Sequence, residues 1–436
     1  MKKIFVFMAS AALMLAASCN KMEENTTTEP AVETELITIE LNPMTKTQLS
    51  GTETLWSAGD AVDVLVDGES VGTLTLVKES TFSGELTTVG LTGPATLHYP
   101  AGVKEVPATQ TAVENSFANG AALLEGETTI DALRAGNGAS LQNTTALLQF
   151  TSPLKGDVTF TIGSTTYTIQ GCEAGKTYYA CVDPANSGKL SYTVGIVLGD
   201  KEKLDFAPEA NKVYPLGTLA LKESSYSVIG DYNEWSDDYM YETNIHDNFF
   251  VLYGVSFESK GGFKIRKPGT NGAWVNDYNF GSVNENVKTK NSIVGLYVDG
   301  GSKNLTVEPG KYDIYFDRAA GRAYVMESGK PYTDADEPTT TPIYSLIGSF
   351  EGSGWNDIDM TYSGDGVWTI VRTFKKDDQW KIRKHGDWGE NWGYDNVHMG
   401  QNYTTKAVDG NVIMNSAGTY VICFVREWNT IRIVTK

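Results

Sequence analysis

The chain is short of positive charge, of cysteine and histidine, and of long apolar runs, and each shortage excludes something. Lys and Arg together number 35 against 54 Asp and Glu, a net charge of −19. That balance argues against nucleic acid or an anionic membrane face as a partner. The four histidines are scattered, the four cysteines lack zinc-site spacing, and no aspartate ladder has calcium-loop spacing. No metal or other cofactor is expected. The one notable apolar run, Ile4 to Ala17, is too short to span a bilayer as a permanent helix. Arginine is absent until Arg134. No pair of carboxylates recurs beside the aromatic loops described below, as glycoside hydrolysis would require, so no enzyme is expected.

What is present begins with an export signature. Lys2 and Lys3 precede the apolar run, and small residues lead to Cys19, marking residues 1–18 as a signal peptide. The phrase LAASC resembles a bacterial lipobox, which implies that Cys19 is lipidated; acyl chains then supply the membrane affinity. Residues 19–34 are polar and acidic without periodicity and read as a flexible tether. A lysine followed by acidic residues after that cysteine resembles the signal that sends Bacteroidetes lipoproteins to the cell surface. The implied location is the outer face of the outer membrane.

The remaining length is too great for one core and suggests about three domains. With 44 Gly, 22 Tyr and few helical periods, the fold class is all-β, three sandwich domains in a row. Composition divides the chain, because eight of the nine tryptophans and seven of the eight arginines lie after residue 225. Before it, ELITIEL, AVDVLV, GTLTLV, DVTFTI and LSYTVGIVL alternate as half-buried strands, giving a two-sheet domain over 35–222. Cys172 and Cys181 are placed to pair across a hairpin or to remain thiols, while Cys423 reads as a small buried hydrophobe. The succession TKT (45–47), WSAGDAVDV (from Trp56), TFSGEL, HYPAG, ALLQF and KVYPLGTLAL resembles fimbrillin-like lipoproteins of Bacteroidetes. That family includes pilins matured by cleavage after a basic residue, usually arginine, to free the first strand. With no arginine before Arg134, the domain reads as a stalk.

After residue 225 one phrase occurs twice. YSVIGDYNEW from Tyr226 answers YSLIGSFEGSGW from Tyr344, FKIRK from Phe263 answers WKIRK from Trp380, and YDIYFDR from Tyr312 answers YVICFVR from Tyr420. Constant order means two copies of one β-sandwich, over 226–328 and 343–436, with the first copy carrying a longer loop. The segment 329–342, rich in Pro, Thr and Asp, is expected to be an extended spacer.

Within each copy the KIRK strand directs Phe263 and Ile265, or Trp380 and Ile382, into a core and its cations to the other face. Glycine- and asparagine-rich loops follow, holding Trp274 and Tyr278 in the first copy and Trp388 and Trp392 in the second. An indole there offers a flat face for the C–H side of a sugar ring, and Lys264, Arg266, Lys381 and Arg383 offer donors to its hydroxyls. Trp235 and Trp355, just after the first strand, are candidates to line the same sites, with core or edge packing the alternative. Trp368 and Trp380 read as core, and Trp428 as decoration at a hairpin tip.

This layout resembles the SusE/SusF family of surface starch-binding lipoproteins, which carry tandem immunoglobulin-like carbohydrate-binding modules behind a lipidated N-terminus. The resemblance implies a non-catalytic role in a polysaccharide-utilisation system, with a starch-like polysaccharide or oligosaccharide as ligand. It also implies docking to a TonB-dependent transporter and its glycan-binding lipoprotein. The alternative is a fimbrial accessory component or tip adhesin.

Overall fold

The computed structural model describes residues 33–41, 56, 58–115, 121–338 and 343–436. The signal segment, Cys19 and all but the last two residues of the tether lie outside them. The described chain is all-β, with only short helical turns between strands. Among the described residues no helix is long and apolar enough to cross a membrane.

Strand Glu35–Glu40 lies at the edge of a seven-stranded sheet, paired antiparallel with Thr81–Leu86. Its alternation sends Ile37 and Ile39 to a core with Val62, Val64, Leu74, Phe82 and Leu97. Arg134, on the short helix Ile130–Arg134, holds that strand down: Nε and Nη2 donate to the Glu35 carboxylate, and Nη2 donates to the Thr88 carbonyl at 2.7 Å. Residues 146–219 enclose a separate core around Phe150, Phe160, Tyr167 and Tyr178. The stretch expected as one two-sheet domain thus holds two apolar centres. Cys172 and Cys181 are free and buried, and burial pushes both thiols up to about 12.

The two repeats differ in how their sheet closes. In the first, one continuous ten-stranded sheet surrounds Tyr226, Phe250, Phe263, Ile265, Phe280 and Phe316. In the second, the equivalent strands divide into sheets of six and five. The break falls at one strand. Asp238–Glu242 reaches from Val228 to Phe250 and joins the two layers. Its counterpart splits into Ile358–Asp359, which pairs with Tyr344–Gly348, and Thr361–Gly364, which pairs with Val367–Phe374.

The repeats are docked on one another. Strands Gly418–Val425 and Thr430–Thr435 are covered on both faces. Tyr420, Ile422, Phe424, Ile431 and Ile433 fill their own core, while Val421 and Val434 join the core of the first repeat. Cys423 and Val425 cluster with Val283 and Tyr297 across the boundary. Polar groups cross as well: Arg432 reaches Asp299 at 2.6 Å, Lys288 pairs with Asp365 at 3.2 Å, and the Thr369 hydroxyl donates to the Ala320 carbonyl at 2.6 Å. Trp428, expected as surface decoration at a hairpin tip, is exposed in the turn between these strands and also stands edge-on to Tyr297 of the first repeat, with ring centroids 4.8 Å apart.

The expected extended spacer is also corrected as far as residue 338. Tyr332 packs among Phe249, Tyr315 and Tyr324, and the Asp336 N–H donates to the Asn291 carbonyl at 2.8 Å. A tyrosine that can bury its ring against a neighbouring sheet gains more than a solvated chain does. Residues 339–342 lie outside the described residues.

Candidate functional site

In strand Gly261–Arg266 the side chains of Phe263 and Ile265 are fully buried in the core. The opposite face, expected to offer donors to a sugar, is covered too: Lys264 is 8 % exposed and Arg266 is 5 % exposed. Arg266 is therefore not a free donor. Its Nε and Nη2 grip both oxygens of Asp237, at 2.8 and 2.6 Å, and its Nη1 donates to the Gly272 carbonyl at 3.1 Å. Burial works against the Asp237 carboxylate, but hydrogen bonds from Arg266 and Ser227 and the guanidinium charge outweigh it and hold it below the usual aspartate range. The guanidinium so fixed lies 4.4 Å from the ring centroid of Trp274, which rests on it with about half its surface free.

Trp235 reaches the same place from the turn after the first strand. Glu234 and Trp235 are successive residues in the left-handed region, at φ 54° and 60°. A bulky side chain is strained there, and such strain persists only where the surroundings impose it. The Trp235 N–H donates to the Gly230 carbonyl at 2.9 Å, and its indole N–H donates to Asp231, whose other oxygen accepts from the Gly262 N–H.

Trp235 and Trp274, with Lys264, Asn276, Asn279, Gly300 and Asn304, line a pocket of about 290 Å³. The Lys264 ammonium lies 5.8 Å from the Trp274 ring centroid and makes no hydrogen bond or ion pair among the described residues. Burial pulls its pKa down, the Asp299 charge opposes that, and Lys303 adds to it. The Oδ1 of buried Asn279 is likewise unbonded.

The second repeat carries the same arrangement. Arg383 grips Asp357 at 2.8 and 2.5 Å, and its hydrogen bonds hold that carboxyl below the usual range. Trp388 rests on Arg383 at 4.4 Å and is 51 % exposed. Trp355, at φ 66° after Gly354 at 54°, is exposed and held by its N–H to the Gly348 carbonyl at 2.7 Å. Lys381 is only half-buried, and its ammonium donates to the Asp409 carbonyl at 3.1 Å. Beside this cluster Ser345 donates to Asp359, and His385 bonds the same carboxyl at 2.6 Å, which raises the imidazole pKa.

Two expected site residues are not brought to these clusters. Trp392 is 6 % exposed and packs on Tyr344 and Phe424. Strand register explains it: Ile382 opposes Trp392 as Ile265 opposes Phe280, so Trp392 fills the position of a core phenylalanine. Trp388, not Trp392, is the counterpart of Trp274. Tyr278 lies against the first repeat's core beneath Lys267 and Arg318, outside the pocket lining. Sequence reading overlooked Asp237 and Asp357, although Trp-x-Asp occurs in both copies after the first strand, and overlooked the asparagines 276, 279 and 304. Among the described residues no group of three His, Cys, Asp or Glu stands together as metal ligands would.

Neither a family model nor a curated protein matches the sequence. Solved structures do match in chain course. The chain is similar to SusF from Bacteroides thetaiotaomicron, at 14 % identity over 75 % of this chain and 76 % of that one, with a TM-score of 0.21. It is also similar to a fimbrial protein from Bacteroides ovatus, at 13 % identity and a TM-score of 0.27, over 51 % of this chain and 57 % of that one.

Proposed function

We propose that this protein is a non-catalytic glycan-binding lipoprotein of the outer-membrane surface, holding polysaccharide at Trp235 and Trp274 in one repeat and at Trp355 and Trp388 in the other. The observation that supports it is the recurrence of one arrangement by different local routes. In each repeat an exposed indole rests on an aspartate-clamped arginine, and a second exposed indole, two residues before the clamping aspartate, is held in a strained left-handed conformation. Rigid, half-free aromatic faces next to amide and ammonium donors suit the C–H face and hydroxyls of a sugar. Stacking with a few hydrogen bonds gives about 4–6 kcal/mol per site, or roughly millimolar to tens of micromolar. Two sites on one polymer gain avidity beyond that.

The non-catalytic part of the reading draws on the fate of the nearby carboxylates. Asp231, Asp237 and Asp299 are each hydrogen-bonded into the walls of the first site. In this reading residues 1–18 direct export, Cys19 carries the acyl anchor, and residues 35–222 are a stalk whose first strand Arg134 keeps in place. The ligand is a starch-like polysaccharide taken up through a polysaccharide-utilisation system. A TonB-dependent transporter and its glycan-binding lipoprotein are the partners.

Affinity electrophoresis of the full-length protein through gels containing amylopectin, inulin, xylan, mannan or mucin glycans tests it. One polysaccharide should retard the protein, Trp274→Ala and Trp388→Ala should each weaken the retardation, and the double variant should abolish it. Free migration through every gel would overturn the proposal and leave the fimbrial adhesin reading, which incorporation into filaments would then test.

A further inference from the structure

The first pocket contains a cation with no hydrogen-bonded or ion-paired partner among the described residues. The Lys264 ammonium has three donors, none engaged by the described residues, and the residue is buried. The acids around it are committed elsewhere. Asp299 is held by Arg432 of the second repeat at 2.6 Å, Asp231 by the Trp235 indole and the Gly262 N–H, and Asp237 by Arg266. Lys303 is the next cation and adds positive field. A chain of net charge −19 thus keeps an unpaired cation at the bottom of an aromatic cleft. The remaining lining is neutral: Asn276, Asn279, Asn304 and the backbone at Gly300.

A ligand closing on this cleft expels the water that solvates the ammonium. A neutral hydroxyl restores a hydrogen bond but no counter-charge, whereas a carboxylate restores both, in a charge-assisted bond roughly twice as strong. The asparagine amides can donate to its second oxygen or to ring hydroxyls. The second repeat lacks this condition, because Lys381 is half-exposed and already donates to the Asp409 carbonyl. At about 290 Å³ the pocket stands at the small end of ligand sites and suits a single sugar residue.

We infer that the first-repeat pocket takes an anionic sugar, one carrying a carboxylate as uronic and sialic acids do, and that Lys264 reads that charge. This inference rests on the glycan-binding part of the proposal above and replaces its starch-like ligand, at the first site, with an acidic one. It makes the paired repeats unequal, with an acid-selective site in the first and a neutral-sugar site in the second.

Calorimetric titration of the full-length protein tests it with five probes: trigalacturonate, its methyl ester, 3′-sialyllactose, lactose and maltohexaose. One of the two acids should bind at least tenfold more tightly than its uncharged counterpart at low salt, and which one does so names the source of the carboxylate. The preference should shrink as salt rises. It should vanish in Lys264→Met and in Lys264→Gln, and survive in Lys381→Met. The comparison of acid with ester uses the unaltered protein, so it stands even if a Lys264 variant fails to fold. Equal binding of acid and ester, or a preference that survives Lys264→Met, overturns the inference. Binding of maltohexaose alone overturns it too but leaves the glycan-binding proposal intact. No heat with any of the five probes overturns both.

Discussion

The two repeats place an indole on an arginine at the same 4.4 Å, yet they get there differently. In the first, Trp274 comes from an irregular loop with two single-turn helices between Lys267 and Asn279. In the second, a tight hairpin brings strand Asp387–Trp392 directly beside Gln379–Lys384, and Trp388 lies on the strand itself. The loops diverged in length and shape while the stacking position over the arginine did not. What the fold holds constant is therefore a point in space above a clamped guanidinium, not a count of residues from the KIRK strand. The lysines diverged in the opposite sense: the same register position is buried in the first repeat and half-open in the second.

Four measurements would break or sharpen that comparison. The largest effect separates core from surface. Trp392→Ala and Phe280→Ala should each cost about 3–5 kcal/mol in denaturant unfolding, as buried aromatics do. Trp274→Ala and Trp388→Ala should stay within about 1 kcal/mol. A Trp392→Ala protein of unchanged stability and lost binding would reverse the assignment of Trp388. Next come the clamps, where Arg266→Met and Arg383→Met should each lose about 3 kcal/mol by leaving Asp237 or Asp357 uncompensated. The additional bond from Arg266 to the Gly272 carbonyl makes the first loss the larger, and a larger second loss would overturn that ranking.

A third difference is one of pH. Asp237 and Asp357 have folded pKa values depressed below the ordinary 3.8. Their contribution is fully present above that value and is lost as pH falls through the lower folded one. Tryptophan fluorescence should stay flat from neutrality to that point and change only below it, and Asp357→Asn should remove the second repeat's share. The smallest effect belongs to the second repeat alone. His385 is raised above 6.5 by Asp359, so its contribution is present below 6.5 and lost as pH rises through the folded value. An NMR titration should place His385 above 6.5 and return it to the ordinary value in Asp359→Asn.

Much of this was legible in the residues. The duplicated phrases identified the repeated strands, and alternation in FKIRK and WKIRK separated core side chains from cations. Two things were not legible. Counting forward from the KIRK strand cannot reveal the hairpin's length, so the buried Trp392 and the stacked Trp388 looked alike; only pairing register tells them apart. The docking was hidden for a different reason, although a trace of it existed. In GTYVICFV both alternating sets are apolar, which is the mark of a strand covered on two faces. Arg432, between Ile431 and Ile433, masked the same mark in the next strand because an arginine suggests solvent. Its partner Asp299 lies in the other repeat, and sequence patterns carry no information about such distant pairs.

On the glycan-binding proposal, that docking decides what kind of polymer the pair would hold at once. Two sites joined by a loose spacer accept ligands of any periodicity and gain by effective concentration alone. Here Val421, Val434, Cys423 and the Arg432–Asp299 bridge lock one repeat against the other, so the gap between the sites is a fixed gauge. Arg432 also grips the base of the loop that supplies Gly300 and Asn304 to the first pocket. On that proposal, a glycan whose pitch and sugars match both sites would be held at both ends, and one out of step at one.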